Sequence, residues 1–208
     1  SEFPIEQSVR DKIALFCNVP SNHVIEGRDV SSIYEVPMAI YRQNAGQLIK
    51  DRLKIKKTPQ LGTLKKFIKN YKNPKHQVTI AMCGKYTELI DSYKSVMEAF
   101  VHAGVENNAR VNIKWIQTEK IKNLEDVEKV YSNINGVLIL PGFGSRGSEG
   151  KIKIVKYSRE NKIPFLGICL GLQCAVIEFA RNVCKMKGAN STEFNSKTQY
   201  PVIDLMES

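Results

Sequence analysis

From residue 78 to residue 182 the sequence predicts an α/β fold, a doubly wound and mostly parallel sheet, and three observations predict it. Four short apolar runs recur, each the length of one strand. The stretches between them carry apolar residues at helical spacing. The two kinds of segment alternate, strand then helix, four times. Such alternation implies parallel strands joined by right-handed crossover helices on both faces, with ligands at the carboxyl ends of the strands.

The strands are VTIAMC (78–83), VNIKWIQ (111–117), GVLIL (136–140) and PFLGI (164–168). The first helix is expected over 92–103. There Tyr93, Val96, Met97, Phe100 and Val101 follow the i, i+3, i+4, i+7, i+8 spacing of a core-facing stripe, with Gly104 as the stop. Shorter helical patterns cover 124–131 and 150–161, and a strong one runs over 170–182. The loops after Cys83, Leu140 and Ile168 therefore share one edge of the sheet. Residues 1–76 show no such alternation and carry turn signals at Asn18-Val-Pro20, Val36-Pro37, Thr58-Pro59 and Asn73-Pro74, the pattern of an arm and a linker.

With 208 residues, 42% of them hydrophobic, the chain can bury one domain-sized core and carry an extension. Its net charge of +10 is concentrated. Residues 50–75 hold ten Lys/Arg against one Asp, which leaves the remainder nearly neutral. A nucleic-acid reader interleaves aromatic platforms with its cations, and only Phe67 and Tyr71 lie in this segment, so a solvated basic helix face is the expectation and no nucleic-acid partner is assigned. Five cysteines without paired C-x-x-C spacing suggest neither a disulfide framework nor a zinc site, and no metal is expected. No run of about 18 apolar residues occurs, and no stretch has the layout of a secretory leader. The expectation is a cytoplasmic protein with free thiols and no membrane partner.

The residues that carry chemistry stand at the fourth strand's end. In GICLG, Gly167 and Gly171 flank Cys169 between a strand and a helix, the layout of a nucleophile elbow with sulfur in place of oxygen. So tight a reversal strains the central residue, and flanking side chains would strike neighbouring backbone. The following helix directs its amides and positive dipole end at the sulfur, which favours the thiolate. The competing reading of this pentapeptide is a packed core cysteine. One strand earlier, PGFGSRGSEGK (141–151) supplies bare backbone amides at the same edge. One of them, with that of Leu170, could form a two-donor oxyanion hole, and the competing reading is a flexible turn. A phosphate-binding loop fits poorly, because Ser145 interrupts the glycine spacing and Ile152 follows Gly150-Lys151 where Ser or Thr is needed.

GICLGLQ, with PGFGSRG before it and ANSTEF (189–194) after it, resembles the class I glutamine amidotransferases, and within them the CTP synthase family. KIALFCNVP, RDVSSIYEVP, GKYTELIDSYKSV and YPVIDLM extend the resemblance over nearly the whole chain from about residue 10. The resemblance implies a flavodoxin-like glutaminase over 77–208, a basic interdomain linker over 55–76 and the tail of a synthetase domain over 1–54, with residues 1–3 a cloning remnant. It implies glutamine as substrate and ammonia delivery to a synthetase domain that aminates UTP with ATP and Mg, in a homo-oligomer activated by GTP. Cys169 would form the glutamyl thioester, and Gly142 and Leu170 would face the oxyanion. Gln173 and Glu193 would hold the substrate, and Arg146 and Glu149 would lie on a lid or allosteric loop. By their residue types alone, Gln173 equally suits a solvated helix face and Glu193 an ordinary loop.

Two departures stand out. The family writes Pro-Gly-Gly-Phe-Gly where this chain has one glycine fewer, which leaves open which amide of Pro141-Gly142-Phe143-Gly144 serves. The family's histidine and glutamate, and an arginine for the substrate carboxylate, come downstream of the cysteine, whereas the histidines here are His23, His76 and His102. The expectation is a chain that stops before its catalytic triad is complete and is inactive in isolation. Other readings of the same sequence are a doubly wound cysteine hydrolase or chaperone, and a non-enzymatic interaction module using the basic segment.

Overall fold

The computed structural model describes residues 2–85, 87 and 90–205; Ser1, Tyr86, Glu88, Leu89 and Met206, which fall in the first residues or in the sequence matches above, lie outside them. The chain divides into two compact units, 1–73 and 74–208.

The first unit is helical: α1 (Gln7–Cys17), α2 (Val36–Arg42), α3 (Ala45–Leu53) and α4 (Gly62–Lys72). Glu26 is a polar tie within it. Its backbone amide and carbonyl pair with the Gln43 side chain, both at 2.8 Å, and its carboxylate accepts from the amide of Ile5 and meets Arg28 at 3.2 Å. The basic segment is more than a connector. In α4, Leu64, Phe67, Ile68 and Tyr71 form a half-buried stripe while Lys65, Lys66 and Lys69 face solvent. Tyr34 packs its ring on Phe67 at 4.7 Å and on Tyr71 at 5.8 Å, and Lys72 pairs with Glu35 at 2.6 Å. The helical period of the apolar residues outweighs the like-charge repulsion that favours an extended linker. Replacing Lys65, Lys66 and Lys69 by Gln is therefore expected to leave thermal unfolding of this unit nearly unchanged. Phe67→Ala is expected to cost about 2 kcal/mol, roughly half the loss for a fully buried ring, and equal effects of the two changes in a melting experiment would refute this division of labour.

The second unit alternates β1 (His76–Gly84), α5 (Lys94–Glu106), β2 (Ala109–Gln117), α6 (Leu124–Tyr131), β3 (Gly136–Ile139), α7 (Ser148–Glu160), β4 (Phe165–Gly167) and α8 (Leu170–Asn182). The four strands form one parallel sheet in the order β2-β1-β3-β4, the α/β arrangement expected. Alternate residues face opposite ways. Ala81, Cys83, Val137 and Ile139 pack on Val127 and Val130 of α6 and Ile154 and Val155 of α7; Met82 and Leu138 pack on Tyr93, Val96 and Phe100 on the α5 side. A third cluster joins Ile152 of α7 to Leu170, Cys174 and Ile177 of α8. It also takes in Val202 and Ile203 of β6 (Pro201–Ile203), which pairs in parallel with β5 (Asn190–Ser191).

Gly104 does not stop the first helix, which runs on to Glu106. It is buried, and a side chain there would approach the carbonyl oxygen of Ala109 to 2.6 Å. The glycine lets α5 lie close against the start of β2. Parallel register aligns Cys83 with Ile139 and Ile139 with Gly167, so the loops after β1, β3 and β4 leave the sheet at one edge.

Candidate active site

Cys169 stands at that edge as the residue before α8, with φ 52° and ψ −110°, and its side chain is exposed. The turn is held by backbone bonds from Ile168 N–H to Ile139 O (3.1 Å), Gly171 N–H to Ile168 O (2.8 Å) and Gln173 N–H to Cys169 O (3.2 Å). A side chain at Gly167 would come within 2.5 Å of the Gly171 carbonyl carbon, and one at Gly171 within 2.5 Å of Ile139 O. No residue but glycine fits at either place. A cysteine in this backbone conformation is strained, and the turn that imposes it is fixed on both sides by these glycines.

The glycine loop after β3 lies beside the elbow. A methyl group on Gly142 would sit 3.5 Å from Cδ2 of Leu170, the first residue of α8, whose amide has no acceptor within the helix. Gly144 N–H donates to Glu193 Oε1 at 2.6 Å, a contact across 49 residues that brings Glu193 to this loop. The Gly144 amide is thus taken by Glu193, while Gly142 lies against Leu170. Lys85, just past β1, donates from Nζ to Phe143 O at 3.1 Å and fixes the loop from its other side. Gln173 lies one turn into α8, and its buried Oε1 has no hydrogen-bond partner among the described residues.

Arg146 and Glu149 flank the same loop, each in a pair within the chain. Arg146 meets Glu119 at 3.2 Å, and Glu149 accepts both Arg181 Nη1 bonds at 3.0 Å. Among the described residues no group of three His, Cys, Asp or Glu is placed to hold a metal ion, and no helix is long and apolar enough to cross a membrane. The sequence reading missed Lys151, which is wholly buried in the first turn of α7. Its signal was a periodic one: Lys151, Ile154, Val155 and Ser158 occupy i, i+3, i+4 and i+7 of one buried stripe.

The remaining thiols differ from Cys169 in ways that predict their reactivity. Burial pushes the Cys83 thiol far up and Cys174 to about 11. Cys17 ends α1 and Cys184 follows the end of α8, both at the negative end of a helix dipole, whereas Cys169 is at the positive end. Time-resolved alkylation read by mass spectrometry is expected to label Cys169 first, Cys17 and Cys184 later, and Cys83 and Cys174 only on unfolding. Faster labelling of Cys17 or Cys184 would remove the elbow's claim to an activated thiol.

The chain matches the family model for the class-I glutamine amidotransferases over residues 88–202 and that for the CTP synthase N-terminus over residues 1–55. It is 49% identical to the CTP synthase of Methanocaldococcus jannaschii over 99% of this chain and 39% of that protein. With the CTP synthase of Caldanaerobacter subterraneus subsp. tengcongensis the identity is 51%, over 99% of this chain and 38% of that protein. The chain thus spans about two fifths of the length of these curated relatives. Among solved structures it is similar to the glutaminase domain of Trypanosoma brucei CTPS with bound acivicin, with TM-score 0.59 and 35% identity, covering 62% of this chain and 50% of that one.

Proposed function

The chain belongs to the class I glutamine amidotransferase family, and on that premise we propose that it is the glutaminase part of a CTP synthase. Residues 1–54 would be the end of the synthetase domain, 55–76 the linker, and 77–208 the part that handles glutamine. The observation that carries this reading is the strained Cys169 between Gly167 and Gly171, at the amino end of α8 and beside Gly142.

Cys169 Sγ attacks the side-chain carbonyl carbon of glutamine. The carbonyl oxygen takes the negative charge and faces the amides of Gly142 and Leu170. The carbon–nitrogen bond then breaks, ammonia leaves with an added proton, and the resulting thioester is hydrolysed to glutamate. Glu193, already turned to the loop, suits the substrate's α-ammonium group, and the unpartnered Gln173 Oε1 accepts a hydrogen bond from it or from the amide.

The ammonia serves amination of UTP at the synthetase domain. ATP and Mg belong there; the residues described here show no cluster suited to a metal, and no step above uses one. GTP, as activator, would act through Arg146 and Glu149 by exchanging their present partners for its own groups. The whole protein would work in the cytoplasm as a homo-oligomer, where its nucleotide substrates are. The decisive experiment is made in the full-length enzyme that contains this chain. Cys169→Ala is expected to abolish glutamine-dependent CTP formation and spare formation from added ammonia; loss of both, or of neither, would overturn the reading.

A further inference from the structure

Lys151 is fully buried, and its Nζ has no hydrogen-bond partner among the described residues. An ammonium group in that condition is unfavourable, and a leucine or methionine would serve the α7 stripe better. The nitrogen lies where compensation would arrive during a reaction, because a methyl group on Gly142 would be 3.8 Å from Lys151 Nζ and 3.5 Å from Leu170. Lys151 is therefore beneath the same loop and helix end whose amides face the reacting carbonyl.

We propose that Lys151 is the buried counter-charge of the elbow, held under Gly142 and Leu170 to favour the Cys169 thiolate and the oxyanion formed when it attacks. This rests on the reading of Cys169 as the nucleophile. Lys151 is a positioning residue that acts through the field it creates; no bond forms to it. The groups facing it are Cys83 on β1, Lys85 beyond it, and Cys169 and Cys174 at the elbow and on α8. Burial, with Lys85 adding to it, draws the amine's proton affinity below the ordinary lysine value, while anionic sulfur raises it again. The proton is held loosely at rest and tightly while negative charge is present on sulfur or on the carbonyl oxygen, and the balance reverts when ammonia leaves.

The test uses the 208-residue chain with Lys151→Met and Lys151→Gln. Alkylation of Cys169 by iodoacetamide is followed against pH, and labelling by a glutamine-mimicking diazoketone is followed at pH 7. Lys151→Met is expected to stay folded and unfold at higher temperature, since it removes an unpaired buried amine. Its alkylation profile is expected to move to higher pH, with a rate at pH 7 lower by on the order of tenfold, and diazoketone labelling is expected to fall at least as far. An unchanged pH profile in a folded variant would overturn the proposal. So would loss of the fold in both variants, which would show the amine to be kept for stability. If wild-type Cys169 ignores the diazoketone while its alkylation profile still depends on Lys151, the glutaminase reading fails and the counter-charge stands.

Discussion

Mixed with a glutamine-mimicking diazoketone, the 208-residue chain is expected to become labelled at Cys169 while releasing no more glutamate from glutamine than its own Cys169→Ala variant. On the proposed reading, attack uses the thiol, the elbow and amides that would face the oxyanion, and Cys169, Leu170 and Gly142 stand together at the carboxyl edge of the sheet. Turnover also needs a group that protonates the leaving ammonia and deprotonates the water that resolves the thioester. Neither histidine of the second unit is placed for this. His76 is the first residue of β1, seven residues before Cys83 and so about 23 Å from the reactive edge. His102 lies in the last turns of α5, whose end meets the start of β2, also at the amino edge. Loss of the histidine of a catalytic triad lowers turnover by about a million-fold, because the members act as a unit. Glutamate release that depends on Cys169 would show that another group serves as base, and Lys151 would be the first to substitute.

Arg159→Ala is expected to be the most destabilising single change on the surface of the second unit, at about 3 kcal/mol. Glu178 is buried in α8, with 1% exposure. Arg159 of α7 reaches its carboxylate with Nε at 3.0 Å and 3.2 Å and Nη2 at 2.8 Å, and Asn182 adds a bond at 3.1 Å. The pairing raises the Arg159 value above that of an ordinary guanidinium, first through the hydrogen bonds to Glu178. Removing the arginine leaves a buried carboxylate with the Asn182 amide as its remaining side-chain bond. Removing both charges, as in Arg159→Leu with Glu178→Leu, is expected to recover most of the loss, since no buried carboxylate is then left without its guanidinium. Denaturant melts of the single and double variants decide it. If the double variant is as unstable as Arg159→Ala, the pair contributes more than mutual compensation.

Much of the second unit was legible because its elements are long enough to show a period. The α8 stretch is bounded by Cys169 and Asn182, and α6 begins with Asn123 capping the amide of Asp126, a signal carried by sequence alone. Gly104 misled, because a glycine used for close approach and one used to end a helix look alike until Ala109 is folded beside it. The ribbon of β5 and β6 was invisible, as strands of two and three residues carry no alternation. In the first unit the lysines of α4 obscured a regular apolar stripe. At the site, Cys169 and its glycines could be read directly, since the steric demand is local. The position of Glu193 against Gly144 could not, because that contact joins residues 49 apart and is made by the fold.

The backbone of Cys169 sets heat resistance and chemistry against each other. Its positive φ is a conformation in which glycine is at ease and cysteine is not, so Cys169→Gly should yield a folded chain more stable by about 1 kcal/mol, after allowing for glycine's freer unfolded state. In a library of variants screened only for survival at high temperature, glycine would be enriched at position 169. In one screened for the glutamine chemistry proposed for Cys169 it would vanish. Position 169 is therefore one where a ranking of substitutions by stability points away from function, and optimising the chain by that ranking would silently disarm it.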